Sequence, residues 1–190
     1  MSDYSEGLLS PHLRQRRVKM ALPFVGGNVL DFGCGVGGLT SHIDCKSYLG
    51  VDVDHASIRI AQKKNPDHKF LIIEKGEDIA PIREFCPSFD TIVSLAVIEH
   101  VKDQAVFLKR FVSLLASGGK IVLTTPHPTA RAIHEAGSLV GIFSRYGAEE
   151  HETFLDKRDI FKLADETGLR VTHFKHFQLL LNQLIVMEKC

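Results

Sequence analysis

The chain has 190 residues, of which 44% are apolar and 24% charged, proportions typical of a soluble globular protein rather than a disordered or membrane-embedded one. Lys and Arg together number 23, as do Asp and Glu, so no overall positive field would attract a nucleic-acid backbone, and we expect no DNA partner. The length favours a single domain over residues 1–190.

The ends and the cysteines indicate the cellular compartment. The first ten residues lack the basic start and apolar run of a secretory signal, and no later stretch has 18 consecutive apolar residues. The four cysteines show neither a C-x-x-C pair nor the spacing of a disulfide framework or zinc site. These features predict a cytoplasmic protein with reduced thiols, no membrane span and no metal site.

The predicted elements begin with a helix within residues 1–27, which we expect to pack across an edge of a sheet. From Asn28 onward, β-branched and apolar runs alternate with segments of helical period, a pattern typical of βαβ units and a mainly parallel sheet. The runs predicted as strands are NVLDF, SYLGVD, KFLIIE, FDTIVSLA, GKIVLTT, LRVTHFKHFQ and QLIVMEK.

Two later segments have the period of amphipathic helices, KDQAVFLKRFVSLL and DKRDIFKLADETG. In the second, Asp156 is a suitable N-cap and Gly168 a suitable helix stop. A short polar break around Asn182 separates the last two strands, which favours an antiparallel hairpin. The sequence therefore predicts an α/β fold with a mainly parallel seven-stranded sheet and an antiparallel C-terminal hairpin.

Residues 126–155 are the least regular stretch, with two prolines and three glycines. This insert follows the fifth predicted strand and would lie at the carboxyl ends of the strands. Open α/β sheets bind their ligands at that edge, so we expect the insert to face a substrate.

The strongest candidate site is VLDFGCGVGGLT, residues 29–40, where an apolar strand runs into four glycines and then, we expect, into a helix. The glycines are Gly33, Gly35, Gly37 and Gly38. Glycine allows positive φ and lets a ligand approach the main chain, whose N–H groups favour an anionic group. The alternative is a tight turn that binds nothing, but four glycines in six residues favour a ligand.

The glycine pattern does not identify the ligand, because Gly33-x-Gly35-x-x-Gly38 also satisfies the dinucleotide-binding pattern. The next strand ends in GVDVD, which places Asp52 where an acid can accept hydrogen bonds from ribose hydroxyls. Asp54 is more suitable as the N-cap of the following helix. Nicotinamide and adenosyl cofactors both remain possible on these residues alone.

Taken together, the motifs are more specific. LDFGCGVGGLT resembles the first motif of class I S-adenosylmethionine-dependent methyltransferases, and GVDVDHASI resembles their second. FDTIVSLAVIEHV is similar to their fourth strand and the segment after it, and ASGGKIVLTTPHP to their fifth strand. The matches span residues 28–128 in the right order, with closest likeness to the ubiquinone and menaquinone biosynthesis methyltransferases. The resemblance implies a Rossmann-like, doubly wound fold and S-adenosylmethionine as cofactor.

The resemblance also implies roles for single residues around the cofactor. Gly33 and Gly35 would cradle its methionine part, with Asp31 near the amino group. Asp52 would hold the ribose. Leu95, at the end of the fourth strand, lies where the family places an apolar residue against the cofactor.

Two parts of the family pattern match loosely. Arg14 corresponds to an arginine found near the cofactor carboxylate in the quinone-type enzymes. Family members often carry an Asp and a small residue after the third strand, which contact adenine, whereas this chain reads IIEKGEDIAP. Gly76, Glu77 and Asp78 are therefore all candidates for the adenine contact, and an exposed helix start is the alternative for the two acids.

Methyl transfer from a sulfonium is an in-line displacement that depends on alignment and exclusion of water. A general base helps only if the acceptor loses a proton. His127 and His151, at the borders of the insert, are the base candidates, with surface placement as the alternative for both. Glu99 and His100 match a common family pairing beside the cofactor, although an ordinary helix-start role fits as well.

The leading hypothesis is a methyltransferase for a small-molecule acceptor, at oxygen or carbon. A protein or RNA methyltransferase is the runner-up, which the neutral charge and the missing appended module disfavour. Family enzymes that methylate amides or adenines often carry an N/D-P-P-Y-like motif after the fourth strand, which SLAVIEHV lacks, so the resemblance disfavours a DNA or RNA base amine as the target. A nicotinamide-dependent oxidoreductase shares the turn and the ribose acid, and a silent binding module shares the fold. The sequence predicts no oligomeric state.

Overall fold

The computed structural model describes residues 10–44, 47–73, 79–129 and 153–189, in which strands alternate with helices. The strands are β1 (Asn28–Phe32), β2 (Ser47–Asp52), β3 (Lys69–Ile72), β4 (Phe89–Leu95), β5 (Leu115–Pro126), β6 (Leu169–Phe177) and β7 (Asn182–Lys189). The helices are α1 (Ser10–Ala21), α2 (His55–Lys64), α3 (Ala80–Phe85), α4 (Gln104–Leu114) and α5 (Lys157–Glu166).

The seven strands form one sheet in the order β3-β2-β1-β4-β5-β7-β6. Strands β1 to β5 pair in parallel, and β7 is antiparallel to both β5 and β6. The predicted fold, a mainly parallel seven-stranded sheet with an antiparallel C-terminal hairpin, is confirmed. The strand order changes direction between β1 and β4, and a crevice at the carboxyl ends of such strands is where open α/β sheets bind ligands.

Each face of the sheet is covered by its own layer of helices. Buried residues of α1 and α2 pack with β1, β4, β5 and β7 on one face, and those of α4 and α5 pack on the other. Helix α1 contacts β4, β5 and β7. The sequence predicted that this helix packs across an edge of the sheet, and that prediction is wrong. The helix lies on a face of the sheet, because Val18 and Ala21 bury their side chains against that face.

Local capping places the helix starts where the sequence predicts them. The Asp54 carboxylate accepts hydrogen bonds from the backbone of Ala56 and Ser57 at the start of α2. Asp156 and Asp159 form a reciprocal capping box at the start of α5. Within the part of the chain that the structure describes, no helix has the length and apolar character needed to cross a membrane.

One expectation about the glycine turn is wrong. The turn leads only to a three-residue 3₁₀ helix, Thr40–His42, and not to an α-helix. Residues 33–46 alone join β1 to β2, and the glycine turn uses much of that length. A ligand at this turn would consequently meet backbone N–H groups without the added dipole of a long helix.

The core on the α4 face depends on a cluster of aromatic rings. Phe111 is 1% exposed, and its ring centroid lies 4.4 Å from that of Phe107 and 5.2 Å from that of Phe32. We expect Phe111→Ala to lower the free energy of unfolding by about 3 to 5 kcal/mol, because it leaves a cavity in this core. Denaturant titration measures the change.

Phe161→Ala is the control, since Phe161 is 44% exposed on α5. It should cost about 1 kcal/mol or less, chiefly through the contact of the Lys157 ammonium with its ring. Equal losses for the two variants would contradict the assignment of Phe111 to the core.

Candidate active site

The glycine turn is attached to the end of β2 by backbone hydrogen bonds. The N–H groups of Gly33 and Cys34 both donate to the carbonyl oxygen of Val51, at 2.8 and 3.0 Å. Gly33 has φ +80°, and a Cβ there would overlap the side chain of Val97. Glycine is therefore required at this position both for the backbone conformation and for the space.

A cavity of about 280 Å³ lies beside this turn. Five residues predicted from the sequence line it: Arg14, Asp31, Gly33, Gly35 and Leu95. Gly35 has φ +53°, and a Cβ built on it would meet no atom within 4 Å. The missing side chain thus leaves open space at a residue that forms the wall of the cavity.

The Asp52 carboxylate, at the end of β2, accepts hydrogen bonds from the backbone of the turn and of Asp54. Its Oδ2 accepts a hydrogen bond of 2.7 Å from the Gly35 N–H, and its Oδ1 accepts one of 3.0 Å from the Asp54 N–H. Asp52 is not among the residues that line the cavity. The observed contacts hold the glycine turn against β2, and the ribose role of Asp52 stays a prediction.

Asp31 is a buried acid in the wall of the cavity, with 4% of its surface exposed. The hydroxyl of Tyr48 donates a hydrogen bond of 2.8 Å to its Oδ2. Burial raises the pKa of Asp31 from 3.8 to about 7, the Tyr48 hydrogen bond lowers it, and the nearby charge of Asp52 raises it. The carboxyl therefore exchanges its proton near neutral pH and would respond strongly to a cation placed in the cavity.

Helix α1 contributes two basic residues to the lining of the cavity, Arg14 and Arg17. The Arg17 Nε also donates to the Asn182 Oδ1 at 3.1 Å, which links α1 to the start of β7. The sequence indicated Arg14 but not Arg17. The spacing of three residues between the two arginines, which places them on one side of a helix, is the signal that could have found it.

The end of β4 contributes two apolar residues to the wall, Leu95 and Ala96. Ala96 has φ +60°, a conformation that non-glycine residues rarely adopt, and its N–H donates to the Thr124 carbonyl at 2.9 Å. Such strain is common at functional sites. The sequence indicated Leu95 but contained no signal for Ala96.

Glu99 and His100 belong to a short 3₁₀ helix, Ile98–His100, that follows β4. Glu99 is buried, and its backbone carbonyl accepts a hydrogen bond from the Thr153 N–H at 2.9 Å. Neither side chain lines the cavity. The pair lies beside the site and connects it to the residues just before α5.

His127 lines a different, open groove, together with Asp156 and Lys157 at the start of α5. Its Nδ1 accepts a hydrogen bond from the Thr129 N–H at 3.2 Å and lies 2.9 Å from the Thr129 hydroxyl. A neutral imidazole bonded in this way carries its proton on Nε2. His127 could therefore accept a proton at Nδ1 only after the contact with Thr129 breaks.

The other predicted site residues lie outside the described ranges: Gly76, Glu77, Asp78 and His151. The adenine contact and the second base candidate therefore stay predictions. Of the insert at 126–155, the structure describes residues 126–129 and 153–155.

The raised pKa of Asp31 leads to a prediction about stability without cofactor. The pKa of Asp31 is about 7 in the folded protein and 3.8 in the unfolded chain. The contribution of Asp31 to the free energy of unfolding is therefore fully present below pH 4 and is lost as the pH rises to 7. We expect Asp31→Asn to remove this loss, about 4 kcal/mol at most. Urea unfolding at several pH values measures it.

Asp67→Asn is the matched control for this experiment, because Asp67 is exposed. It should keep the wild-type dependence of unfolding free energy on pH. If Asp31→Asn also kept that dependence, the Asp31 carboxyl would not be the group that titrates.

Comparison with known proteins identifies the family. A family model described as "Methyltransferase domain" matches residues 8–174. The ubiquinone biosynthesis O-methyltransferase of Ruegeria sp. (strain TM1040) is 28% identical over 169 residues, covering 85% of this chain and 68% of that protein. The enzyme of the same name from Coxiella burnetii (strain Dugway 5J108-111) is 26% identical over 171 residues, covering 86% and 72%.

Solved structures agree on the fold. The magnesium protoporphyrin IX methyltransferase of Synechocystis PCC 6803, crystallised with bound S-adenosylhomocysteine, superimposes with a TM-score of 0.69 at 16% identity, covering 100% of this chain and 90% of that one. The resemblance inferred from the sequence motifs is confirmed, and the oxidoreductase hypothesis is set aside. The chain belongs to the methyltransferase domain family, as a class I S-adenosylmethionine-dependent enzyme.

Proposed function

We propose that the protein transfers the methyl group of S-adenosylmethionine to an oxygen atom of a small-molecule acceptor. One observation carries this proposal. The cavity beside the glycine turn is lined by one acidic residue, Asp31, and by two basic residues, Arg14 and Arg17. A free amino acid end, with one ammonium and one carboxylate, needs charges of both signs in one small site.

The residues present fit this cofactor. The open space at Gly35 is a cradle that a Cβ would fill, and the ionised Asp31 carboxylate would accept hydrogen bonds from the cofactor ammonium. Arg14 and Arg17 would bind its carboxylate, and Leu95 would provide an apolar contact near the sulfur. We assign the ribose to Asp52, whose oxygens each retain further acceptor capacity beside the bond to a backbone N–H.

The bound cofactor supplies an activated methyl group on a sulfonium. The protein's part is to hold that end rigidly and to keep water out, so that an acceptor oxygen reaches the methyl carbon in line with the breaking bond. The strained Ala96 and the neighbouring Leu95 form a fixed wall at the end of β4. Alignment by such a wall is the main catalytic contribution that this proposal requires.

The choice of oxygen over carbon is supported by the names of the relatives, which are O-methyltransferases. The equal numbers of acidic and basic residues support a small acceptor over RNA. A protein substrate is the remaining alternative. The reduced thiols of Cys34 and Cys86 agree with a cytoplasmic location, which we also propose.

The first test is direct binding of S-adenosylhomocysteine, measured by titration calorimetry, with NADH as the competing class of ligand. We expect the wild-type chain to bind S-adenosylhomocysteine and not NADH. Gly35→Val should abolish binding, because the branched side chain would occupy the open space at the cavity wall.

Gly118→Val is the matched control for backbone strain. Gly118 also has a positive φ, +72°, and also has no atom within 4 Å of a built Cβ, but it is exposed at the opposite end of β5. The two variants should lose similar stability, and Gly118→Val should bind like the wild type. Normal binding by Gly35→Val, or a preference for NADH, would refute the proposed site.

The second test concerns the general base, for which we propose His127 or His151. With a phenolic acceptor that supports turnover, replacing the true base by Ala should lower kcat by about 10²- to 10⁴-fold and leave cofactor affinity unchanged. His173→Ala is the control, since that ring packs on Phe24 away from the cavity. Full turnover by both variants would show that catalysis depends on alignment alone.

A further inference from the structure

Tyr48 is a buried polar residue to which neither the sequence motifs nor the proposed chemistry assigns a role. It lies on β2, opposite Val29 of β1, and is 4% exposed. Its ring packs against those of His68 and Phe70, with centroid distances of 5.1 and 5.7 Å. These contacts hold the phenol in one orientation.

The hydroxyl of Tyr48 points along the strands toward Asp31. Side chains two residues apart on β1 share a face, so Val29 and Asp31 lie on the same side of the sheet as the Tyr48 ring. The residue opposite Asp31 on β2 is Gly50. The Tyr48 hydroxyl passes this position and reaches the Asp31 Oδ2 at 2.8 Å.

Within the described ranges, this hydroxyl is the one hydrogen-bond partner of the Asp31 side chain. A carboxylate buried in protein is costly to ionise unless hydrogen bonds compensate for the lost water. The bond to Oδ2 lowers that cost and leaves Oδ1 available to a ligand. It also fixes the rotation of the carboxyl group in the wall of the cavity.

We propose that Tyr48 is a positioning residue of the cofactor site, whose hydroxyl orients Asp31 and supports its ionised form for the ammonium group of the cofactor. This inference rests on the function proposed above. Without the hydroxyl, Asp31 would hold its proton more strongly and would be free to rotate. The cofactor would then have to displace that proton at neutral pH.

The surrounding charges agree with this role. Cys34 lines the cavity together with Asp31, and the nearby charge of Asp52 disfavours ionisation of Asp31. Arg14 and Arg17 of α1 line the cavity in front of it. Since the pKa of Asp31 is about 7 even with the Tyr48 bond in place, loss of that bond would move ionisation of Asp31 above neutral pH.

The test is the pH profile of S-adenosylhomocysteine affinity for the wild type and Tyr48→Phe, from pH 6 to pH 8.5. Phe keeps the ring packing and removes only the hydroxyl. We expect the profile of the variant to move upward by about one pH unit, with roughly fivefold weaker binding at pH 7 and near-equal binding at pH 8.5.

Thr91→Val is the matched control, because it also removes a buried hydroxyl, one on β4 that donates to the Gly26 carbonyl at 2.8 Å and does not line the cavity. It should change stability without moving the profile. In an Asp31→Asn background, Tyr48→Phe should add no further loss of affinity, since its effect passes through the Asp31 carboxylate.

A Tyr48→Phe profile parallel to that of the wild type would overturn the inference, as would an equal loss of affinity in the Asp31→Asn background. Either result would make Tyr48 a packing residue. Failure of the wild type to bind S-adenosylhomocysteine at any pH would instead refute the proposed function. The two failures are therefore distinguishable.

Discussion

The link between the glycine turn and the end of β2 is the constraint on which the site depends. The Val51 carbonyl accepts two N–H groups of the turn, and Asp52 accepts a third from Gly35. Parallel strands β1 and β2 place these groups side by side at their carboxyl ends. The turn is thereby held open on its other side, where the cavity lies, without a following α-helix to support it.

The cavity concentrates charged residues of both signs, although the chain as a whole has no net charge. The 23 basic and 23 acidic residues cancel, yet the cavity is lined by one buried carboxyl and by two arginines of α1. Asp31 lies on β1 and the two arginines lie on α1, so the acidic and basic residues come together only when α1 packs on the sheet. The packing of Val18 and Ala21 on the sheet face therefore stabilises the core and also positions the arginines of the site.

At the edge where β5 and β6 end and β7 begins, neighbouring side chains face different surfaces. His127 follows β5 directly, but its ring lies 5.0 Å from that of His176 and lines the groove beside α5. Gln183 bonds the backbone carbonyls of Pro126 and Leu155. The two ends of the insert at 126–155 are therefore connected through one buried amide of β7, on the side of the sheet opposite α1.

The sequence by itself determined the strands, the C-terminal hairpin, the glycine turn and the caps at Asp54 and Asp156. These features depend on periodicity, β-branching, positive φ and contacts within a few residues, all of which are local. Only the tertiary structure decided that α1 lies on the sheet face with Arg17 at the cavity, that Tyr48 bonds Asp31, and that His127 faces another groove. Each of these contacts joins elements that are distant in the sequence and become neighbours through strand order and packing. A local sequence pattern does not predict which distant side chains will come into contact.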